Sequence, residues 1–440
     1  MNEKKETVFA WIDNAASIAV ELETELTKRP AMSPDSGGEG ELDKCVFLEG
    51  WLRANGITQL ERYDCPDERA KGGVRPNVIA TISGDATIGG DADASGRLWI
   101  ISHLDVVPPG ELSLWETDPW TVVRADTPSG HKLIGRGVED NQQGLTSSVL
   151  AALALIRAGV QPRRTIKLLF SADEEMGSVF GVRWLLENHR ELFRQGDIAL
   201  IPDGGDSQGE SIEIAEKNLL WVRFVTRGAQ THGSRPDLGI NAHLAGADLI
   251  LQLHHGLSEK FCERDSLFEP DYSTFQPTKK EANVPNINTI PGEDVFCMDM
   301  RILPRYPIKA VLAEIDRITG EVAAKHKVSV NYSIAQSNES PATEAQSPLI
   351  LSLSAAIGEV YGVTTRPVGM GGGTEAAFLR RVGIDCAVWA RVDESMHQPN
   401  EYALLENILG DAKVMAVLMM GGDSLLRHFF PCHSGLKAVY

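Results

Sequence analysis

The sequence predicts an α/β fold: a mixed, mostly parallel sheet with helices on both faces, into which a smaller α+β domain is inserted. Two observations support this prediction. Between residues 97 and 201, short apolar runs alternate with longer helical stretches, a pattern typical of parallel strands joined by helical crossovers. After residue 203 apolar and polar residues begin to alternate, which indicates antiparallel strands with one exposed face.

The first domain is predicted at residues 1–213 and 334–440. Residues 3–55 have a helical pattern that a loop at residues 29–41 interrupts, and the Gly/Asp/Ala-rich residues 83–96 are expected to form an exposed, mobile loop. Apolar runs predict buried strands at residues 77–82, 97–102, 165–170, 198–201 and 386–390. Helices are predicted at residues 143–158, 181–189, 349–361 and 401–421.

The inserted domain is predicted at residues 214–333. It is expected to be a small α+β sandwich with strands at residues 212–227, 295–303 and 328–334 and helices at residues 241–253 and 310–325.

Length, charge and cysteine usage restrict the class of protein. The 440 residues suit two domains, and the net charge of −19 argues against nucleic-acid binding, which needs a basic surface. No apolar run is long enough to predict a membrane span. The N-terminal segment lacks the apolar core of a signal peptide. The six cysteines form no CxxC pair, which is typical of a reducing compartment, so a cytoplasmic location is expected.

Histidine and acidic side chains follow separate apolar runs or lie in loops. Ligands from several strand ends meet in one crevice of an open α/β sheet. Two imidazoles and at least three carboxylates would hold two zinc-like ions and leave one carboxylate as a base. The pattern therefore predicts a two-metal hydrolase. The residues concerned are His103, Asp105, Asp140, Glu174, Glu175, Asp203 and His397.

Each of these residues also has a structural explanation. His103 and Asp105 share one face of a strand end, so Asp105 either orients a ligating histidine or caps a core histidine. Asp140 precedes a long helix and could be its N-cap. An exposed acidic loop would account for Glu174 and Glu175. The joint pattern favours the metal site, because every position follows a predicted strand or lies in a loop.

Five segments, in this order, closely resemble the M20 family of metallopeptidases and amidohydrolases: HLDVVPPG, GRGVEDNQQG, ADEEMGS, PDGG and MHQPNEY. That family includes acetylornithine deacetylase, succinyl-diaminopimelate desuccinylase, aminoacylase and glutamate-releasing carboxypeptidases. The resemblance covers about residues 98–405. It implies a zinc-exopeptidase-like catalytic domain, with an insert that acts as a lid and joins two chains into a homodimer.

The resemblance also implies a role for each site residue. Glu174 matches the general base and Asp105 the residue that orients His103. Zinc is the expected metal, although cobalt or manganese would also suit these ligands. Two ligand groups share one carboxylate: His103, Asp140 and Asp203 for one ion, and Asp140, Glu175 and His397 for the other.

Segments of the insert match the family as well. In THGSRPDLGINA, His232 would polarise the scissile carbonyl, and it is expected to do so in the partner subunit's site. NINTIPG and DMR make Asn288 and Arg301 candidates for contacts to an oxyanion or a substrate carboxylate. Without the resemblance, a strand-end salt bridge explains Arg301 equally well.

Two segments depart from the family's pattern. GMGGGTEAAF resembles a segment that lies near the substrate, which makes Gly372 and Thr374 candidate contacts, but Glu375 stands where the family usually has Asp. EKNLLW stands where the family more often has Glu-Lys-Gly. The first departure bears on the polarity of the pocket.

The resemblance implies hydrolysis of an amide bond. An N-acyl amino acid or diamino acid, such as acetylornithine or succinyl-diaminopimelate, is the expected substrate. A dipeptide or a C-terminal amino-acid amide is the alternative. A non-catalytic amino-acid-binding protein is disfavoured because the ligand set is complete. An enzyme acting on phosphate esters is disfavoured because the predicted ligands have no Lys/Arg cluster nearby.

Overall fold

The computed structural model describes residues 2–85, 96–128 and 130–421. It contains two compact units. The first comprises Met1–Ile214, Thr343–Pro367 and Thr374–Tyr440, and the second comprises Ala215–Ala342 and Val368–Gly373. Most of the loop expected at residues 83–96 lies outside the described residues. The second unit extends beyond the residues 214–333 assigned to the insert, because its last strand continues to Asn338.

The chain builds most of the first unit, crosses to the second and then returns. Before the crossing it forms α1 (Asn2–Asp13), α2 (Ala16–Thr27), α3 (Leu42–Ala54), β1 (Leu60–Pro66), β2 (Val74–Ile82), β3 (Leu98–His103), β4 (Val123–Thr127), β5 (Gly130–Ile134), α4 (Gly144–Arg157), β6 (Ile166–Ser171), α5 (Val182–Asn188), β7 (Ile198–Asp206) and β8 (Ser211–Glu216).

The second unit then forms β9 (Asn218–Arg227), β10 (Thr231–His232), α6 (Ala242–Lys260), β11 (Thr274–Lys280), β12 (Thr289–Ile290), β13 (Glu293–Ile302), α7 (Ile308–His326) and β14 (Ser329–Asn338). The remaining elements are α8 (Pro348–Tyr361), β15 (Arg366–Met370), α9 (Ala376–Arg381), β16 (Asp385–Arg391), β17 (Tyr402–Leu404) and α10 (Leu405–Met420).

A central sheet with strand order β1-β2-β6-β3-β7-β16-β8-β15 organises the first unit. β3 runs parallel to β6 and β7, and β16 runs parallel to β7, whereas β1 with β2, β2 with β6, and β8 with β16 pair antiparallel. One face packs Trp99 and Ile101 against Val182 of α5 and Leu379 of α9. The other is covered by α4, which packs against β3, β6 and β7. The mixed, mostly parallel sheet is therefore confirmed.

The strand-rich region that was predicted to be half-exposed, at residues 212–227, contains two different strands. β8 is buried along its whole length and belongs to the central sheet beside β16. β9 alternates between buried and more exposed residues, as expected for a strand with one open face. The prediction was wrong for β8 because Glu213 and Glu216 resemble exposed positions in sequence, yet both are buried.

A four-stranded antiparallel sheet, ordered β11-β13-β9-β14, forms the second unit with α6 and α7. Alternate residues of β9, such as Val222 and Phe224, share one apolar core with Leu249 of α6 and Ile315 of α7. The opposite face of β9 is more exposed and carries Trp221, Arg223 and Arg227. The α+β character expected of the insert is observed.

No helix within residues 2–85, 96–128 and 130–421 is long and apolar enough to cross a membrane. In the same ranges the cysteines are all free, so the structure has no disulfide there: they are Cys45, Cys65, Cys262, Cys297 and Cys386.

A buried carboxyl group at the junction of α4, α8 and α10 predicts a pH dependence of stability. Asp411 is fully buried and accepts hydrogen bonds from the Tyr361 hydroxyl (2.8 Å) and from Gln143 Nε2 (3.0 Å). Burial raises the pKa of Asp411 to about 7. Because the folded state then holds the proton more tightly than the unfolded chain, this group's contribution to stability is lost as pH rises from about 4 to about 7.

Replacing Asp411 with Asn removes this titration. We expect the free energy of unfolding of the variant, relative to the unmodified chain, to rise by on the order of 1 kcal/mol between pH 5 and pH 8. Urea unfolding at the two pH values measures the difference. An identical pH dependence for both chains would contradict the expected role of Asp411.

Candidate metal centre

The seven predicted metal-site residues of the first unit come together at the carboxyl ends of the parallel strands. His103 is the last residue of β3, and the Glu174–Glu175 pair follows β6. These two strands are in register at their ends, where His103 pairs with Ser171. Asp140 precedes α4, and His397 lies between β16 and β17.

Asp203 was expected at the end of a strand, but β7 continues to Asp206. The pairing of β7 with β16 is irregular beyond Ile201 and resumes at Gly205, so Asp203 lies where the ladder is interrupted. The start of α4 approaches this segment closely: a Cβ on Gly144 would lie 2.4 Å from the carbonyl oxygen of Pro202. A glycine at this position therefore lets α4 begin directly against β7.

Two groups of potential ligands share Asp140. His103 Nε2 lies 2.9 Å from Asp140 Oδ1 and 3.6 Å from Asp203 Oδ1. His397 Nε2 lies 3.0 Å from Asp140 Oδ2 and 3.1 Å from Glu175 Oε2. In each group one ligand atom per residue lies within 4.8 Å of the others. The two oxygens of Asp140 thus face different histidines, which is the arrangement of a bridging carboxylate.

The electrostatics of both groups favour a cation, since burial also raises the pKa of Asp203 in the group of His103. Hydrogen bonds to Asp140 and Glu175 raise the pKa of His397 to about 10. Burial and the charge of Asp140 raise the pKa of Glu175 to about 7, and its Oε1 is buried without a hydrogen-bond partner. Since a buried, unpaired carboxylate oxygen is costly, a divalent ion at each group fits these residues. Imidazole and carboxylate ligands together suit zinc.

Asp105 connects His103 to the loop after β6, although its carboxylate does so in an unexpected way. His103 Nδ1 donates to the main-chain oxygen of Asp105 at 2.9 Å, whereas the carboxylate is 3.5 Å away. The carboxylate oxygens of Asp105 accept the backbone N–H groups of Glu174 (3.0 Å) and Glu175 (3.1 Å). The expected pairing of His103 with the Asp105 carboxylate is therefore replaced by one with its carbonyl oxygen, which leaves Nε2 facing the ligands.

Glu174 lies beside the two groups without belonging to either of them. Burial, followed by the negative charge of Asp203, raises the pKa of Glu174 well above its ordinary value. A carboxylate with a raised pKa is a stronger base than an ordinary glutamate. The position and basicity of Glu174 suit a general base.

Two further acidic residues that the sequence did not single out hold the ligand loops. Glu401 Oε1 accepts the N–H groups of Glu139 (3.0 Å) and Asp140 (3.1 Å), and Glu401 is also paired with Arg136. Glu139 accepts the N–H of Asp393 at 2.7 Å, close to His397 in the chain. Both lie inside motifs quoted above, but acidic residues in loops are mostly exposed, so sequence alone offered no signal of their burial.

The other predicted contacts of the insert belong to the second unit. His232 lies on β10, is exposed, and has its Nδ1 2.8 Å from Ser234 Oγ. Arg301 makes two hydrogen bonds to Asp299 (2.8 and 3.1 Å) and donates to the carbonyl oxygen of Gly371 at 2.7 Å. The salt bridge considered for Arg301 is therefore present. Asn288 precedes β12, and Gly372 follows Gly371 in the same loop.

Thr374 and Glu375 begin the return to the first unit. Thr374 Oγ1 accepts the N–H of Ala376 at 3.1 Å, at the start of α9. Glu375 is buried, accepts a hydrogen bond from the Ser178 hydroxyl at 3.2 Å, and has its pKa raised to about 7 by burial. Glu375 therefore faces the loop after β6 and not solvent.

Comparisons with known proteins show the family of this chain. Residues 99–421 match the model of peptidase family M20/M25/M40. An uncharacterized metallohydrolase of Methanocaldococcus jannaschii is 37% identical, over 90% of this chain and 97% of that protein. Succinyl-diaminopimelate desuccinylase 2 of Shewanella loihica is 24% identical, over 90% of this chain and 97% of that protein.

A solved structure has the same fold. The crystal structure of an aminopeptidase from Bacillus cereus superposes with a TM-score of 0.73 at 18% identity, covering 92% of this chain and 98% of that one. The family match spans most of the chain and includes every residue of the two ligand groups. The chain therefore belongs to peptidase family M20/M25/M40 and is a metallohydrolase.

Proposed function

We propose that this protein hydrolyses the amide bond of an N-acyl amino acid or N-acyl diamino acid with the help of two divalent metal ions, zinc in the first place and cobalt or manganese as alternatives. The observation that carries the proposal is the sharing of Asp140 by two ligand groups, beside Glu174, a carboxylate with a raised pKa. His103 and Asp203 complete one group, and Glu175 and His397 complete the other.

The residues of the chain divide the work of hydrolysis. A divalent ion in each group would supply Lewis-acid polarisation of the carbonyl and acidification of water. Glu174 accepts a proton from the attacking water as the new C–O bond forms, and it delivers that proton to the amide nitrogen as the C–N bond breaks. Asp105 holds the backbone N–H of Glu174 and thereby keeps the base in place.

Residues of the second unit would contact the substrate. His232, an exposed imidazole with a nearby hydroxyl partner, is suited to stabilise the oxyanion that develops on the carbonyl oxygen. Asn288 and Arg301 are proposed contacts for the oxyanion or a substrate carboxylate. Gly372, and Thr374 of the first unit, are further proposed substrate contacts. Arg301 already shares its charge with Asp299, so we expect its contribution to the binding of a carboxylate to be small.

The choice of substrate class is supported by the relatives that carry a specific name. Several relatives that are 23–27% identical to this chain are succinyl-diaminopimelate desuccinylases. The relatives at 36–37% identity carry no substrate in their names.

Free cysteines in the described part of the chain accord with the proposed cytoplasmic location.

A substrate panel tests the proposal. The zinc-loaded protein is assayed with N-acetyl and N-succinyl amino acids and diamino acids, with dipeptides and C-terminal amino-acid amides, and with a phosphate ester. We expect hydrolysis of one of the N-acyl compounds and no release of phosphate. Turnover of dipeptides alone would replace the proposed substrate class with a dipeptidase activity, and binding of amino acids without any turnover would indicate a binding protein.

We also propose that two chains form a homodimer through α6 of the second unit. Leu244 and Leu251 lie two helical turns apart, hence on one face of α6. Their side chains are 60% and 55% exposed. Exposed leucines at this spacing form an apolar stripe of the kind that a second copy of the chain would cover.

Introducing two charges into this stripe should separate the subunits. We expect Leu244→Asp/Leu251→Asp to halve the mass measured by light scattering, from about two chains to one, since burying carboxylates in an apolar interface is unfavourable. Val46→Asp, at an exposed apolar position of α3, is the matched control and should leave the mass unchanged. A single-chain mass for the unmodified protein would overturn the proposed dimer.

A further inference from the structure

The loop that follows β6, residues 172–180, carries both the proposed base and a ligand. Asp173 and Ser178 in this loop have positive φ angles of 65° and 57°. Such conformations are uncommon for residues other than glycine and persist only where the surroundings hold them. The positions of Glu174 and Glu175 therefore depend on contacts from outside the loop.

Arg75 of β2 supplies one of these contacts. Its guanidinium is fully buried and forms a charge pair with Glu41, in which Nε donates to Oε2 at 2.6 Å. Nη2 lies 3.1 Å from Asp173 Oδ1, and the guanidinium carbon lies 5.2 Å from the centre of the Phe180 ring. Arg75 thus contacts both ends of the loop.

Asn77, two residues further along β2, contacts the loop ends as well. Its Oδ1 accepts the N–H of Ala172 at 3.1 Å, and its Nδ2 donates to the carbonyl oxygen of Phe180 at 2.9 Å. Because side chains two apart in a strand share a face, Arg75 and Asn77 act on the same side of the loop. Asp173 also links the two ends of the loop, because its carboxylate accepts the N–H of Phe180 at 3.1 Å.

We infer that Arg75 is a positioning residue that, together with Asn77, holds the loop of residues 172–180. Glu175 is thereby kept within reach of Asp140 and His397, the other members of its ligand group. This inference rests on the proposed function, since it concerns the same two ions. It has a selective consequence. Glu175 belongs only to the group with Asp140 and His397, so loss of Arg75 should weaken that site and spare the group of His103.

Cobalt titration of the metal-free, full-length protein tests the inference through binding and does not rely on activity. The unmodified chain should bind two Co²⁺ ions. In Arg75→Met we expect the ion held by Asp140, Glu175 and His397 to bind about 10–100-fold more weakly, as is typical when an outer-shell partner is lost. The ion held by His103, Asp140 and Asp203 should bind as before. Glu175→Gln alters a ligand of the site formed with Asp140 and His397, and the cobalt affinities of Arg75→Met should resemble those of this variant. Arg75→Lys, which keeps a charge near Asp173, should recover part of the affinity.

A second buried arginine provides the matched control. Arg97 is paired with Asp197 at 2.6 Å and precedes β3, at the opposite end of that strand from His103. Arg97→Met should leave both cobalt affinities unchanged. If Arg75→Met does not fold, Asn77→Ser is tested in its place, and the same selective loss of cobalt affinity is expected.

Three outcomes would overturn the inference. The first is unchanged cobalt binding at the site of Glu175 in Arg75→Met. The second is an equal weakening of both ions, which would indicate a general loss of structure. In both cases two ions bound by the unmodified chain would leave the proposed function standing. If the unmodified chain binds no Co²⁺, the proposed function and the inference fail together.

Discussion

Glu174→Gln is expected to lower turnover by about 10²–10⁴-fold, the contribution typical of a general acid or base, while the bound metal is retained. Glutamine has nearly the same shape but cannot accept the proton from water or deliver it to the leaving nitrogen. Glu174 belongs to neither ligand group, so its replacement removes no ligand. Steady-state rates and metal analysis of the same preparation measure both effects.

Glu187→Gln is the matched control for this experiment. Glu187 lies on α5 with its side chain 60% exposed and paired with Arg183, so its replacement should change neither rate nor metal content. A Glu174→Gln variant with a full complement of metal and a near-normal rate would contradict the assignment of the base.

Asp140→Ala is expected to have the largest effect on metal binding, because this residue alone contributes to both ligand groups. Each histidine faces one of its oxygens, at 2.9 and 3.0 Å. We expect the affinity for both ions to fall by more than about 100-fold, beyond the range seen for outer-shell partners, and hydrolysis to be lost with it. Calorimetric titration with zinc measures the two affinities.

Asp203→Ala serves as the comparison, since Asp203 belongs to one group only. It should weaken one ion strongly and the other much less. If Asp140→Ala also weakened only one ion, Asp140 would not be a bridging ligand and the two groups would be independent.

Much of the fold could be predicted because the central strands have unambiguous patterns. The run at residues 97–102 and the strand β3 (Leu98–His103) differ by one residue, and α4 differs from its predicted range by one residue at each end. Short strands at the periphery were missed. β4 and β5 contain Arg, Asp, Lys and His and are mostly half-exposed, so no apolar run marks them.

The ligand residues could be predicted because parallel strands bring their carboxyl ends to one edge of the sheet. The supporting contacts could not. Asp105 points its carboxylate at the loop after β6 and offers its carbonyl oxygen to His103, an arrangement that depends on the backbone conformation at Asp105. Glu139 and Glu401 act through main-chain N–H groups distant in sequence, and no local pattern encodes such pairs.

Metal analysis of the purified protein, combined with N-acyl amino acid hydrolysis before and after chelation, tests the central claim most directly. The arrangement of Asp140 between two ligand groups predicts two divalent ions per chain and hydrolysis that chelator abolishes and added zinc restores. A chain that binds no metal under metal-replete conditions, or that hydrolyses the amide equally well after the metal is removed, would contradict the two-metal mechanism.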